Sequence, residues 1–242
     1  MLPAPEAIAE DSFGISMAAD GDTLVVGAQF ADAAGQDAGL AYVFERRDGR
    51  WRQAAVLSAS DAEAGDQSGL TTSTSGGTIV VGARLKDHAG RDAGVAYVFE
   101  RRDGAWRQAA TLKASDPAQG DLFGRVCLDG DRMLLSADLN DDLGEAAGKA
   151  YAFERRAGTW VETAGITASD GATRDEIGLS LDQHAGVSVF GAIGGDSASE
   201  EDTGAAYVFE WQKDHWRQTA RLTASDATSR AGFGSAVATH RV

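Results

Sequence analysis

Residues 11–65 read DSFGISMAADGDTLVVGA (11–28), then DAGLAYVFERRDGRW (37–51), then RQAAVLSASDAEAG (52–65), and the chain repeats them. Residues 66–120 restate the pattern as VVGA (80–83), DAGVAYVFERRDGAWRQAA (92–110) and LKASD (112–116). More worn copies occupy 121–174 and 175–230, and a partial fifth runs from 231 to 242. Tyr42, Tyr97, Tyr151 and Tyr207 lie 55, 54 and 56 residues apart. Trp51, Trp106, Trp160 and Trp216 keep the same steps, as do Asp61, Asp116, Asp170 and Asp226. A fixed period of this size marks a propeller, a solenoid or an array. Repeat architectures escape the usual arithmetic of length against domain number, so residues 1–242 are read as one repeat domain.

Each unit carries four short runs of β-branched, aromatic or small residues bounded by turn signals, which predicts four strands. In the first unit strand a spans 15–19, strand b 23–28, strand c 39–45 and strand d 51–58. No stretch sustains the i, i+3, i+4, i+7 spacing of a helix. Asp20-Gly21-Asp22 and Asp48-Gly49 suit the left-handed conformations of a type I′ turn, so a–b and c–d are tight hairpins. The b–c loop (29–38) and the d–a loop (59–68) are long and share the opposite end of the sheet, where binding residues concentrate. Strands b and c are near-continuous apolar runs, as burial on both faces requires. The reading is all-β: a β-propeller of four-stranded antiparallel blades, with a solenoid as the rival. Strand a of the third unit is one residue short, which predicts a bulge or a register change there.

The ends align with strand pieces. Leu2, Ala4 and Glu6 match Leu57, Ala59 and Asp61, and the chain stops in an a–b turn. Four complete units and the outer parts of a fifth either close on themselves or form part of a larger ring. The open arc is favoured, with self-association through exposed blade faces as its consequence.

Composition narrows the partners. A net charge of −15 argues against nucleic acid and anionic membrane, since both need a basic patch. No apolar run is long enough to span a bilayer, and MLPAPEAIAE lacks the basic and apolar regions of a signal peptide. Cys127 is alone and is expected as a small buried hydrophobe.

Phe13-Gly14, Phe123-Gly124 and Phe233-Gly234, each followed by VVGA- and AYVFE-like strands where the unit is complete, resemble the FG-GAP repeat family. That family includes the β-propeller of integrin α subunits and many bacterial surface or secreted proteins. The resemblance implies a propeller used for binding, with no catalytic residues, at the cell surface or outside the cell. Two departures stand out. Ser68-Gly69 and Ile177-Gly178 replace Phe-Gly, and the family's calcium loop between strands a and b gives way to tight DGD hairpins.

The function expected is therefore a non-enzymatic binding or adhesion module that recognises protein or glycan through its long loops. The alternative is a structural spacer or a fragment of a larger propeller without a ligand. Candidate ligand-binding residues on the long loops are Phe30, Asp32, Asp37, Asp87, His88, Asp92 and Asp196. Asp138, Asn140, Asp142 and Glu145 approximate a calcium loop, although the glycine falls one position late. Ca²⁺ is not favoured there, and no cofactor is expected. The pairs Asp61/Asp66, Asp116/Asp121 and Asp170/Asp175, with Glu6/Asp11, are read as structural caps of the d–a turns rather than metal ligands. His88, His184, His215 and His240 are read as non-equivalent and unconverged. Arg46-Arg47, Arg101-Arg102 and Arg155-Arg156 are expected to pair with nearby acids. Trp211 is a weak glycan signal.

Overall fold

The computed structural model describes residues 9–196 and 202–240. The proposed match of Leu2, Ala4 and Glu6 to the end of a strand d lies outside them. Among the described residues there is one 3₁₀ turn, Ala9–Asp11, and no α-helix. Sixteen strands form four antiparallel sheets of four, each in chain order. Blade 1 holds β1 (Met17–Asp20), β2 (Thr23–Ala28), β3 (Leu40–Arg47) and β4 (Arg50–Leu57). Blade 2 holds β5 (Thr71–Ser75), β6 (Thr78–Ala83), β7 (Val95–Arg102) and β8 (Ala105–Leu112). Blade 3 holds β9 (Arg125–Asp129), β10 (Arg132–Ala137), β11 (Lys149–Arg156) and β12 (Thr159–Ile166). Blade 4 holds β13 (Ser180–His184), β14 (Val187–Ala192), β15 (Ala205–Gln212) and β16 (His215–Leu222). The chain divides into two compact units, Met1–Gln119 and Gly120–Val242, so blades 1 and 2 form one and blades 3 and 4 the other.

The c–d hairpins take two-residue loops with both residues left-handed, as at Asp48 (φ 53°) and Gly49 (φ 73°). This matches the twist of the flanking strands. Blade 4 does the same with Lys213 (φ 48°) and Asp214 (φ 70°), without a glycine. The a–b hairpins differ from expectation: in blades 1 and 3 only Gly21 and Gly130 are left-handed, while Asp22 and Asp131 are not.

The bulge expected in strand a of the third unit is absent. β9 pairs with β10 without interruption. The missing residue is the one that follows Phe-Gly, where Ile15, Leu70 and Leu179 stand in the other units, so the loop before the strand absorbs the deletion. Bulges instead recur between strands c and d of every blade. They leave Ala54, Ala109, Thr163 and Thr219 outside the pairing. A bulge re-aims the strand beyond it, and the outer strand bends away from the pleat of its neighbour.

Alternation along strands b and c sends small side chains to one face of a blade and large ones to the other. In the first unit Val25, Ala41 and Val43 of blade 1 pack against Ile79, Tyr97 and Phe99 of blade 2. In the second, Leu134, Ala150 and Ala152 pack against Phe190, Tyr207 and Phe209. Tyr42, Tyr97, Tyr151 and Tyr207 are fully buried, as a strand covered on both faces demands. Glycine sets the spacing. A Cβ on Gly27 would lie 1.9 Å from the carbonyl oxygen of Gly69, so the Phe-Gly-type turn of blade 2 sits directly on strand b of blade 1. The Ser16 hydroxyl donates to that same carbonyl at 2.8 Å. Blade 3 has Ser136 in place of this glycine, and its own hydroxyl donates to Gly178 O at 2.7 Å.

Candidate functional site

The long b–c loops are built around one carboxylate each. Asp32, Asp87, Asp141 and Asp196 accept the backbone N–H of Asp37, Asp92, Ala146 and Asp202 at 2.7–2.9 Å. Each donor residue is left-handed, a conformation that Asp tolerates better than most side chains. Asp32, Asp87 and Asp196 therefore shape their loops before they can meet a ligand. The loop of blade 1 is then laced to the turn that enters blade 2. Gly65 N–H donates to Gln36 O at 2.9 Å, Gln67 N–H to Asp37 O at 3.1 Å, and Ser68 N–H to Ala38 O at 2.9 Å. In the second unit the corresponding bonds run from Arg174, Glu176 and Ile177 to Glu145, Ala146 and Ala147.

Asp37, Asp87 and Asp92 share one depression beside this lacing. With Glu63, Asp66 and Arg91 they line a depression of about 310 Å³ in the first unit. The other expected ligand residues lie elsewhere. Asp32 lines a separate cavity in blade 1. Phe30 is half-buried, its amide bonded to Asp11 O. His88 has both ring nitrogens buried; burial first, with Lys113 adding repulsion and the Lys86 backbone opposing, lowers its pKa. Asp196 belongs to the second unit. There a depression of similar size is lined by Arg174, Glu176, Asp202 and Arg230, and carries basic as well as acidic groups.

Beneath the long loops lies a feature that the repeat pattern hides. Each d–a loop ends in a buried carboxylate: Asp11, Asp66, Asp121 and Asp175 are 3–4 % exposed. Asp66 and Asp175 cap their own turns, accepting the amides of Glu63 and Ala172 at 2.8 Å. The capping reading holds for Asp66 and Asp175, whereas Asp170 pairs with Arg221; Glu6, the partner expected for Asp11, lies outside the described residues. A different cation stands near this turn in each of blades 2, 3 and 4. In blade 2 the Lys86 ammonium reaches Asp61 O at 2.7 Å, Glu63 at 2.8 Å and Asp66 at 3.2 Å. In blade 4 Arg221 pairs with Asp170 at 3.2 Å, donates to the Tyr207 hydroxyl at 3.2 Å, and bonds the Asp196 carbonyl. In blade 3 Lys149 lies over the Tyr151 ring and pairs with Asp142 at 2.5 Å. Burial, before all else, raises the carboxyl pKa of Asp66 and of Asp175. Burial opposes the charge on Lys86 as well, but bonds to Glu63 and Asp66 outweigh it and its pKa is raised. The cations come from a loop, a strand c and a strand d, so no repeating signal announces them.

The approximate calcium loop does not assemble. Asp138 pairs with Arg125 at 3.3 Å, Asn140 donates to Asp121 at 3.4 Å, Asp142 holds Lys149, and Glu145 lies 3.6 Å from Arg174. Four side chains that turn to four partners offer no common centre. Among the described residues no group of three or more His, Cys, Asp or Glu side chains is placed to hold a metal. At the a–b turns Asp20 and Asp129 accept the amides of Gly76 and Ala185 at 2.8 Å, fastening one hairpin to the next.

One histidine reading is corrected. His184 and His240 occupy equivalent places one repeat apart, and their rings stack at 6.2 Å. The arginine reading holds: Arg46 pairs with Asp22, Arg47 and Arg101 with Glu45, Arg102 with Glu100, and Arg156 with Glu154. Trp211 is enclosed by Trp216 at 5.4 Å and by Arg132, which stacks at 4.7 Å. Cys127 is buried but polar in its contacts, with Sγ 3.3 Å from an Asp182 oxygen and 3.1 Å from Gln183 N. Burial, with Asp182 beside it, pushes the thiol pKa far up, so the sulfur stays protonated.

The FG-GAP repeat profile matches residues 2–44, 51–99, 106–153, 160–209 and 216–241. Five consecutive matches cover most of the chain, and the chain belongs to the FG-GAP repeat family. No curated protein matches it.

Proposed function

From its membership of the FG-GAP repeat family, we propose that this protein is a non-enzymatic recognition module that binds protein or glycan on its long-loop side. The observation that carries this reading is the convergence of Asp37, Asp87 and Asp92 in one open depression, where the loop that bears Asp37 is laced by backbone hydrogen bonds to the d–a turn at 65–68. A site held by main-chain bonds is formed before the ligand arrives, which lowers the ordering cost of binding. Ionised carboxylates are acceptors only, so the complementary groups are hydroxyls of a sugar or cationic side chains of a protein. The family is a binding and structural repeat type rather than a catalytic one, and its usual setting suggests the cell surface or the extracellular space.

The test is a screen of glycans and basic peptides against the intact chain and the double variant Asp37→Asn, Asp92→Asn. Asn keeps the left-handed backbone and the size of each side chain but removes two charges. The expected result is a ligand whose affinity falls at least about tenfold, or 1.4 kcal/mol, in the double variant. A ligand bound equally by both proteins would move the site away from this depression. A complete absence of ligands would leave the chain as a structural spacer.

A further inference from the structure

At the tight-turn end of the first compact unit, a cavity of about 430 Å³ lies between the outer strands of blades 1 and 2. Its lining is cationic. Glu45, 8 % exposed, pairs with Arg47 of its own strand at 2.6 Å and with Arg101 of blade 2 at 2.8 Å. Arg52 stands opposite Glu45 in the c–d ladder and lines the same cavity. Its guanidinium has no ion pair among the described residues. Three arginines thus surround one carboxylate, an excess of two positive charges in a chain of net charge −15. An acidic molecule repels anions at long range, so such a gathering runs against the field of the whole protein. The c–d bulge opens the space. Ala54, the residue left outside the pairing, is exposed and lines the cavity, while the Trp106 ring forms part of the facing wall.

The second unit fills the equivalent positions differently. Val161 replaces Arg52, Trp211 replaces Arg101, and Glu162 and Asp214 replace Gln53 and Gly104. Glu154, the counterpart of Glu45, holds Arg156 at 2.9 Å. Arg132, with Nε 3.6 Å from Glu154, stacks on the Trp211 ring at 4.7 Å. There two arginines stand among three carboxylates, so the cationic excess belongs to the first unit and not to the repeat as such.

We propose that this cavity binds a carboxylate carried on a sugar ring, the chemistry of a uronic acid residue in an acidic glycan. A guanidinium donates in a planar fork that matches a carboxylate with two parallel hydrogen bonds. Arg52 is the principal partner. Arg47 and Arg101 are held in place by Glu45, and each guanidinium has five N–H donors, more than that one contact uses. Donors fixed before the ligand arrives lower the ordering cost of binding. Gln53 both donates and accepts, as a sugar hydroxyl does, and Trp106 offers an aromatic wall to the apolar face of a pyranose. An acidic peptide would meet the arginines but bring no ring to that wall. The volume lies within the range of small-ligand pockets. This site is at the other end of the sheets from the depression shared by Asp37, Asp87 and Asp92, is opposite to it in charge, and does not depend on it.

The experiment uses the full chain and sodium D-glucuronate, followed by ligand-observed NMR, with thermal unfolding to check the fold of each variant. D-glucose, sodium acetate and N-acetyl-glutamate N-methylamide at matched ionic strength are the comparisons. Saturable binding of glucuronate is expected, weakening as salt is added, with each comparison at least about tenfold weaker. Arg52→Val copies the second unit. It should weaken glucuronate by at least about tenfold and leave the melting temperature unchanged, because Arg52 has no ion pair to lose. Ala54→Glu sets the protein's own carboxylate at the bulge and should block the site to a similar extent; if Arg52→Val unfolds, this variant carries the test. No saturable response, acetate or glucose bound as tightly as glucuronate, or unchanged affinity in Arg52→Val overturns the proposal. Equal or tighter binding of the glutamate derivative also overturns it and assigns the cavity to an acidic peptide.

Discussion

Blades 2 and 4 bury the same carboxylate, Asp66 and Asp175, and place a cation near it by different routes: a direct pair in blade 2, and in blade 4 an arginine bonded to the neighbouring Asp170. In blade 2 the cation is Lys86, from the b–c loop, with its side chain 7 % exposed and that of Asp66 6 % exposed. In blade 4 it is Arg221, from the outer strand, 29 % exposed and paired with an Asp170 that is half exposed. Position 195, where a second Lys86 would stand, is a glycine, and Thr111 stands where Arg221 would. What the repeat preserves is the buried charge and the turn it caps, not the residue that answers it. A cation on a long flexible stem reaches the same point from several starting positions, so its place in the sequence drifts while the carboxylate's does not.

The sharpest way to break the comparison is to remove each cation. Lys86→Met leaves Asp66 buried without its ammonium and should cost about 3 kcal/mol in urea unfolding, as for a broken buried pair. A loss below about 1 kcal/mol would show that water serves Asp66 as well as Lys86 does. Arg221→Met should cost about 1 kcal/mol, because solvent screens an exposed pair. Equal losses in the two variants would erase the distinction between the blades.

A transplant sharpens it further. Adding Thr111→Arg to the Lys86→Met variant places the blade 4 solution in blade 2 and should recover about 1 kcal/mol. The non-additivity of the two changes measures the coupling. If Thr111→Arg has the same effect with and without Lys86, the arginine does not reach the carboxylate.

Acidity probes the carboxylates themselves. The folded pKa of Asp175 lies above its ordinary value of 3.8, chiefly through burial, with Asp196 and Asp170 adding repulsion and the Ala172 amide opposing. The folded state then binds the proton more tightly than the unfolded chain does. This contribution to stability falls as pH rises from 3.8 through the raised folded pKa, and the full penalty stands at neutral pH. Asp175→Asn keeps an oxygen for the Ala172 amide and should be at least as stable as the parent at pH 7, with that pH dependence removed. Lys86 has the same sign in a different window: its pairing is fully present at neutral pH and is lost as pH rises from 10.5 through its raised folded pKa. An Asp175→Asn chain that loses stability at pH 7 would contradict this sign. The smallest effect concerns the c–d hairpins. Blade 2 uses Asp103-Gly104 and blade 4 uses Lys213-Asp214 in the same left-handed pair. Asp214→Gly should stabilise by up to about 1 kcal/mol, and Gly104→Asp should cost a similar amount.

Much of the fold was legible before any coordinates. Strand b of the first blade falls at 23–28 as read, and strands c and d of that blade shift by one or two residues because the ladder continues through Arg46-Arg47 to the turn. The c–d bulge was not legible, because Ala54 and Ala109 look like any other strand residue and the mismatch arises only when two strands are paired. Of the candidate ligand residues, Asp37, Asp87 and Asp92 share a depression, whereas Asp32, on the same loop as Asp37, lines a separate cavity and Asp196 belongs to blade 4. Loop length located the face; which loop tips share a depression depended on how adjacent blades pack.

The sequence by itself determined what is local and periodic: four strands to a unit, tight hairpins at one end, long loops at the other, and a fixed repeat of tyrosine and aspartate. Alternation and turn chemistry act over a few residues, so their signal survives in a one-dimensional string. The tertiary structure alone decided where charge is answered. The distance from Lys86 to Asp66 and from Arg221 to Asp170 is set by how adjacent strands and loops stack. Burial makes such a charge expensive to leave unmet, yet it does not say which neighbour must meet it.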